Sequence, residues 1–159
     1  MSCTRQIEAW QSVDGGALLF RFPLGCDPAQ FERILVDCRR CPGCLEKQAR
    51  SWAMRSVHEA QMCGPKSFIT CTYSDEYLPR HGSLSKRHAQ LFLKRLRLAF
   101  EPRRIRYLLV GEYGSRTARA HLHALIFGED FGADRRAAGK SRSGYAQYES
   151  EVLTRAWGM

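Results

Sequence analysis

The sequence lacks a long apolar run, a secretory leader, internal repeats and low-complexity linkers. No stretch approaches the roughly 18 apolar residues that a membrane-spanning helix needs. The first residues, MSCTRQIEAW, contain no basic segment followed by an apolar core, which argues against a secretory signal. A chain of 159 residues with 44% hydrophobic residues can still form a packed core. We therefore expect a cytoplasmic protein of one main domain, without a membrane partner.

Acidic residues are few compared with basic ones. The chain has 16 Asp and Glu against 25 Lys and Arg, a formal net charge of +9. Such a surplus suits a polyanionic partner, most often nucleic acid. The alternative is a basic surface kept for solubility, and the charge alone does not separate the two.

The seven cysteines are an odd number in a chain without a visible leader, which argues against a disulfide scaffold. Three of them, Cys38, Cys41 and Cys44, lie in CRRCPGC at a spacing typical of metal ligands or redox thiols. A closed zinc site needs a fourth ligand. The candidates for it are Cys3, Cys26, Cys63 and His58. The alternative is three reduced cysteines at the start of a helix. An iron–sulfur cluster is disfavoured because the extra Cys-Pro of the bacterial ferredoxin run is absent.

Hydrophobic periodicity predicts a series of helices and strands after an N-terminal stretch, residues 1–37, that has no strong period. The predicted helices are 45–62, 84–100 with Ser83 as the cap, and 145–157. The predicted strands are 67–73, 105–113 and 120–128, and residues 129–144 are a basic, glycine-rich loop.

A basic stripe runs along the predicted helix 84–100. Arg87, Lys94 and Arg97 recur at helical spacing opposite an apolar face. The stripe could lie along the phosphates of a nucleic acid. The alternative is an ordinary solvated helix face.

Two histidines, His121 and His123, stand on either side of one leucine in the strand AHLHALIFG. Alternate residues of a strand share a face, so both imidazoles point to the same side. If the loop 114–119 closes a hairpin with Tyr113 opposite Ala120, then Glu112 lies across from His121. A carboxylate expected to be buried there would need a partner or a metal. Two imidazoles and one carboxylate suit Mn²⁺ or Mg²⁺, and also Zn²⁺ or Co²⁺. The alternative is a hydrogen-bonded His–Glu cluster.

The glutamate, short loop and His-hydrophobe-His strand resemble the second motif of the HUH endonucleases, which include rolling-circle replication initiators. FITCTY resembles their first motif. Four blocks in order resemble the initiators of gokushovirus-like Microviridae, which are bacteriophages, from about Val36 to Trp157: VDCRRCPGCLEKQARSWAMRSVHEAQM, FITCTYSDEYLP, GSLSKRHAQLFLKRLRLAF and VGEYGSRTARAHLHALIFGEDF.

The resemblance implies an α+β fold, with an antiparallel sheet of about five strands and packed helices in an HUH, RRM-like core. We expect this nuclease core at residues 45–159, after a cysteine-containing segment at 1–44. The implied activity is nicking of single-stranded DNA at a phage origin, with a 5′-phosphotyrosine intermediate and Mn or Mg held by Glu112, His121 and His123. The implied partners are that DNA and the replication machinery of the bacterial host, in whose cytoplasm the protein acts.

The family's nucleophilic tyrosine lies on a helix and is followed one turn later by a lysine. After His123 the chain offers Tyr145 and Tyr148, which are followed at that distance by Glu149 and Val152. We expect the chain to stop before the tyrosine block, which leaves open whether it is an enzyme by itself. The alternative function is a non-enzymatic nucleic-acid-binding module held together by zinc. An RNA-binding sheet is disfavoured because the strands lack paired RNP aromatics.

Overall fold

The computed structural model describes residues 2–159, which form three helices and seven strands. The predicted α+β class is confirmed. The strands divide into a three-stranded sheet and two separate two-stranded hairpins, so the largest sheet has three strands rather than about five. The chain separates into two compact units, Met1–Arg55 and Ser56–Met159. Within residues 2–159, no helix is both long and apolar enough to cross a membrane.

The first unit contains a hairpin that the sequence did not predict. Strands β1 (Ile7–Ser12) and β2 (Phe31–Val36) pair antiparallel. The next element is helix α1 (Pro42–Met62), which begins three residues before the predicted start at Leu45. Proline is favoured in the first helical turn, where its missing N–H has no partner to lose. The predicted apolar face of α1 is only partly covered, since Leu45 and Trp52 are about half exposed.

The second unit is built on a sheet in the order β3-β5-β4, with every pair antiparallel. The strands are β3 (Lys66–Thr72), β4 (Arg106–Tyr113) and β5 (Ala120–Phe127). Helices α2 (Lys86–Phe100) and α3 (Glu151–Trp157) supply the rest of the core. The apolar face predicted for α2 is confirmed by its buried residues, Phe92, Leu93 and Leu96.

The central strand β5 has one face in the core and one face away from it. Ala120, Leu122, Ala124 and Ile126 are buried in the cluster formed with α2 and α3. The residues between them are only partly buried, and they include His121 and His123. Because strand side chains alternate, both imidazoles stand on the face opposite the helices.

Helix α2 begins at Lys86 with Ser85 as its cap, so the predicted start at Leu84 and the predicted cap Ser83 are wrong. The Ser85 hydroxyl accepts a hydrogen bond from the His88 N–H at 3.3 Å. Leu84 is still outside the helix because its N–H donates to the Tyr113 hydroxyl at 3.1 Å. Its side chain also packs over Gly111, where an added Cβ would lie 2.6 Å from a Leu84 methyl carbon.

The segment after β5 differs from the prediction. Strands β6 (Arg136–Lys140) and β7 (Ala146–Glu149) form a hairpin where a loop and the start of a helix were predicted. Gly144, with φ of 84°, allows the tight turn between them, where its N–H donates to the Ser141 carbonyl. The helical prediction is right only for α3, which the Ser150 side chain caps through the Leu153 N–H.

Candidate functional site

The hairpin β4–β5 has the register that the sequence predicted. Tyr113 pairs with Ala120, and the Gly114 N–H donates to the Arg119 carbonyl at 3.0 Å, which closes the loop 114–119. Glu112 therefore pairs with His121 and stands on the same face of the sheet. Backbone pairing alone thus brings the three predicted ligands to one end of the open face.

Glu112, His121 and His123 form a compact group in which one donor atom of each lies within 4.8 Å of the others. The two imidazole rings are 4.7 Å apart and nearly perpendicular. The Glu112 carboxylate lies 3.5 Å from Nε2 of His123, the diagonal neighbour, although its backbone pairs with His121. The expectation of a buried carboxylate is wrong, because Glu112 is exposed at the end of an edge strand.

Each imidazole is held through its Nδ1 atom. Nδ1 of His121 lies 3.0 Å from the Arg119 carbonyl, which can only accept, so this nitrogen carries the proton of a neutral ring. Nδ1 of His123 lies 3.0 Å from the Thr70 hydroxyl on β3. A hydrogen bond at one ring nitrogen fixes the orientation of the ring and leaves the other nitrogen for a metal. The donor set, with Nε2 of both rings beside a carboxylate, therefore fits a divalent ion.

Two residues of β3 that the sequence analysis did not single out complete the surroundings of His123. Thr70 pairs with His123 in the sheet, and the Phe68 ring stacks on the imidazole with 5.2 Å between centroids. Phe68 is nonetheless 65% exposed. The alternation of SFITCTY places Phe68 and Thr70 on one face, but the sequence did not say which face or which neighbouring strand.

A second group joins Cys3 to the predicted cysteines Cys38, Cys41 and Cys44, with their sulfur atoms all within 4.8 Å of one another. Of the four candidates for a fourth ligand, the structure selects Cys3. Hydrogen bonds from the backbone N–H groups of Thr4 and Cys44 lower the pKa of the Cys41 thiol to about 5. Burial raises the pKa of Cys44 to about 12.

The predicted basic stripe is exposed on α2, where Arg87, Lys94 and Arg97 all face solvent. Arg97 donates to the Tyr107 hydroxyl at 3.3 Å and lies over its ring. Helix α2 covers the face of the sheet opposite the histidines, so the stripe and the Glu–His–His group lie on different sides of the second unit.

The predicted tyrosines lie on the β6–β7 hairpin rather than on a helix. Tyr145 is 75% exposed and Tyr148 is 55% exposed, and the Arg135 guanidinium covers the Tyr148 ring. Both line a cavity of about 740 Å³ whose walls also include Phe68 and Thr70, the two neighbours of His123. Within residues 2–159, the hydrogen-bonding and ring contacts of His121 and His123 involve no tyrosine.

A sheet with helices on one face and two imidazoles beside a carboxylate on the other defines an α+β protein with a candidate divalent-metal site. Comparison with known sequences makes this class specific. The family described as replication-associated protein ORF2 matches residues 66–158, well over half of the chain. The chain belongs to this family, which agrees with the resemblance in the sequence blocks.

Relatives among curated proteins come from small phages. The chain is 37% identical over 134 residues to replication-associated protein VP4 of Bdellovibrio phage phiMH2K, covering 80% of the chain and 41% of that protein. It is 30% identical over 174 aligned positions to replication-associated protein ORF2 of Spiroplasma virus 4, covering 99% of the chain and 53% of that protein. The chain thus spans about half the length of these relatives or less. No solved structure matches it.

Proposed function

We propose that the chain acts in phage DNA replication as the metal-binding part of a rolling-circle initiator that nicks single-stranded DNA at an origin. The family and the printed names of the relatives support a role in replication. The observation that carries the finer proposal is the convergence of Glu112, His121 and His123 on the open face of the sheet.

Glu112, His121 and His123 would hold Mn²⁺ or Mg²⁺, which when bound supplies Lewis-acid polarisation of the scissile phosphate. The chain's own contribution is positioning. The Arg119 carbonyl and the Thr70 hydroxyl fix the two imidazoles through their Nδ1 atoms. The Phe68 ring, stacked on His123 and largely exposed, offers a surface on which an unpaired base can stack. These groups suit a single strand better than a duplex, whose bases are already stacked.

The cleavage step of the proposed reaction is attack by a tyrosine hydroxyl oxygen on the phosphorus. The P–O3′ bond breaks, the tyrosine loses its proton, and a 5′-phosphotyrosine and a free 3′-OH result. Tyr148 and Tyr145 are the candidates in this chain, and they share a cavity with two neighbours of His123. Neither has the lysine that the family places one turn later. We therefore expect the chain to bind metal and DNA but to form little covalent adduct.

Contacts to the DNA backbone are proposed for Arg87, Lys94 and Arg97, which would bind phosphates of any sequence. Because α2 covers the opposite face of the sheet, such contacts would be made away from the metal-binding residues.

A second candidate function is a non-enzymatic nucleic-acid-binding module held together by zinc. The four-cysteine group favours it. The two functions differ in whether a divalent ion binds at Glu112, His121 and His123, since the non-enzymatic module needs a metal only at the cysteines.

The deciding experiment is calorimetric titration of Mn²⁺ into the purified chain, beside a gel-shift assay with single-stranded origin DNA. We expect one Mn²⁺ site in the wild type and its loss in the His121→Ala, His123→Ala double variant, together with the Mn²⁺-dependent part of DNA binding. Equal Mn²⁺ binding by the double variant would contradict the proposal.

A further inference from the structure

We infer that Cys3, Cys38, Cys41 and Cys44 bind one Zn²⁺ as a closed tetrahedral site of four thiolates. The inference concerns the first unit and does not depend on the proposed nicking activity. Two of the sulfur–sulfur separations are 4.0 Å, between Cys38 and Cys44, and 3.9 Å, between Cys41 and Cys3. Zinc–sulfur bonds of about 2.3 Å give a tetrahedron whose edges are about 3.8 Å, close to both distances. A disulfide needs its sulfurs about 2.05 Å apart, so these pairs are not bonded to each other.

The fold brings the four thiols together from three places in the chain. Cys3 precedes β1 and Cys38 follows β2, at the open end of the hairpin where Ile7 pairs with Val36. Cys41 directly precedes α1 and Cys44 lies in its first turn, where the Leu45 N–H donates to the Cys41 carbonyl. A metal here would join both ends of the β1–β2 hairpin to the start of the helix.

The backbone around Cys38 is arranged as the surroundings of a metal thiolate are. The N–H groups of Arg40 and Cys41 point at the Cys38 sulfur, at 3.5 and 3.4 Å. This turn is possible because Arg39 adopts a left-handed conformation with φ of 58°, which a residue other than glycine seldom does. The Cys38 N–H in turn points at the Cys3 sulfur at 3.4 Å. Such N–H···S contacts stabilise negative charge on sulfur and orient the ligands.

The ligand set determines the kind of ion. Four thiolates in a tetrahedron select zinc or iron among the common metals. The short sulfur separations fit a single ion, since thiolates bound to different irons of a cluster lie farther apart. Four protein ligands leave no open position for water or substrate, which is the arrangement of structural zinc sites. The site would therefore stabilise the first unit and take no direct part in chemistry.

The test is the zinc content of the purified full-length chain, measured by mass spectrometry of its metals. We expect one zinc per chain in the wild type and a fall to near zero in Cys3→Ser. Cys26→Ser is the matched control, because Cys26 is exposed and lies outside the group. It should keep the zinc, as should the His121→Ala, His123→Ala double variant. Absence of zinc from the wild type, iron in its place, or full zinc retention in Cys3→Ser would overturn the proposal.

A second measurement needs no variant and covers the case in which Cys3→Ser fails to fold. The native wild type is alkylated before and after removal of metal by a chelator, and modified cysteines are located by peptide mass spectrometry. We expect Cys26 to react in both samples, whereas Cys3, Cys38, Cys41 and Cys44 react at least tenfold faster after chelation. Equal rates for these four in both samples would show that no metal protects them and would refute the site.

Discussion

Replacing Glu112 by Gln tests both the metal site and the β4–β5 register on which it depends. A ligand that binds only the folded protein stabilises it by RT ln(1 + [L]/Kd), about 2.7 kcal/mol at a hundredfold excess over Kd. The second unit, Ser56–Met159, is just over one hundred residues long. For a domain of that size each kcal/mol raises the Tm by about 4 °C or slightly more. Saturating Mn²⁺ should therefore raise the wild-type Tm by about 10 °C.

The variant loses one of three protein ligands, and its carboxylate is the only negatively charged one. If Kd rises a hundredfold, the same Mn²⁺ concentration gives RT ln 2, about 0.4 kcal/mol, or about 2 °C. The measurement is differential scanning calorimetry with and without Mn²⁺. Because Glu112 is exposed and makes its nearest contact at 3.5 Å, the variant should melt near the wild type when no metal is added.

Glu101→Gln is the matched control, since Glu101 is also an exposed acid but follows α2 near the start of β4, at the other end of the sheet from Glu112. It should keep the full Mn²⁺ shift. A full shift in Glu112→Gln would refute the assignment of this carboxylate as a ligand. A full shift in the His121→Ala, His123→Ala double variant as well would remove the metal site from this face altogether.

Three further predictions concern DNA and stability. Affinity for single-stranded DNA should fall steeply with salt, and Lys94→Glu with Arg97→Glu should weaken binding to all sequences alike and reduce the salt slope by about 1.4, since each phosphate contact contributes about 0.7 on a single strand; an unchanged slope in a filter-binding titration would exclude the stripe from the interface. On a denaturing gel with labelled origin DNA and Mn²⁺, the chain should give little or no covalent adduct, and an adduct that disappears in Tyr148→Phe would refute this and identify Tyr148 as the nucleophile. Asp134 accepts hydrogen bonds from the Val152 N–H and the Ser150 hydroxyl, which lower the pKa of its carboxyl group. Its stabilising effect is present above the pKa of the unfolded chain and is lost as the pH falls through the lower folded value, so Asp134→Ala should cost about 1 kcal/mol at neutral pH and less in acid; equal losses at both, measured by urea unfolding, would contradict the cap.

The parts of the fold that the sequence predicted are those that local pattern determines. The six-residue loop 114–119 and the apolar alternation of β5 were enough to predict the pairing of Glu112 with His121. Helix α2 followed from its apolar face, but not its first residue, because the contact of Leu84 with Gly111 and Tyr113 joins distant parts of the chain.

Long-range pairing explains what the sequence did not predict. The hairpins β1–β2 and β6–β7 have mostly exposed strands, so they carry no clear hydrophobic alternation. Cys3 could not be chosen from four candidates because its place beside Cys38 depends on the β1–β2 pairing, across 35 positions of the chain. The fourth thiol, Tyr145 and Tyr148 were thus placed by tertiary structure rather than by spacing.

The position of the two histidines on the central strand has a consequence for how the site comes apart. Strand β5 is hydrogen-bonded on both sides, whereas β4, which carries Glu112, is bonded on one side only. Local opening events free the ends of edge strands well before a central strand. Amide hydrogens of β5 should therefore exchange with solvent more slowly than those around Glu112. The imidazole pair would persist as a rigid half-site while the carboxylate comes and goes, so the carboxylate side is where a bound ion would be gained and released.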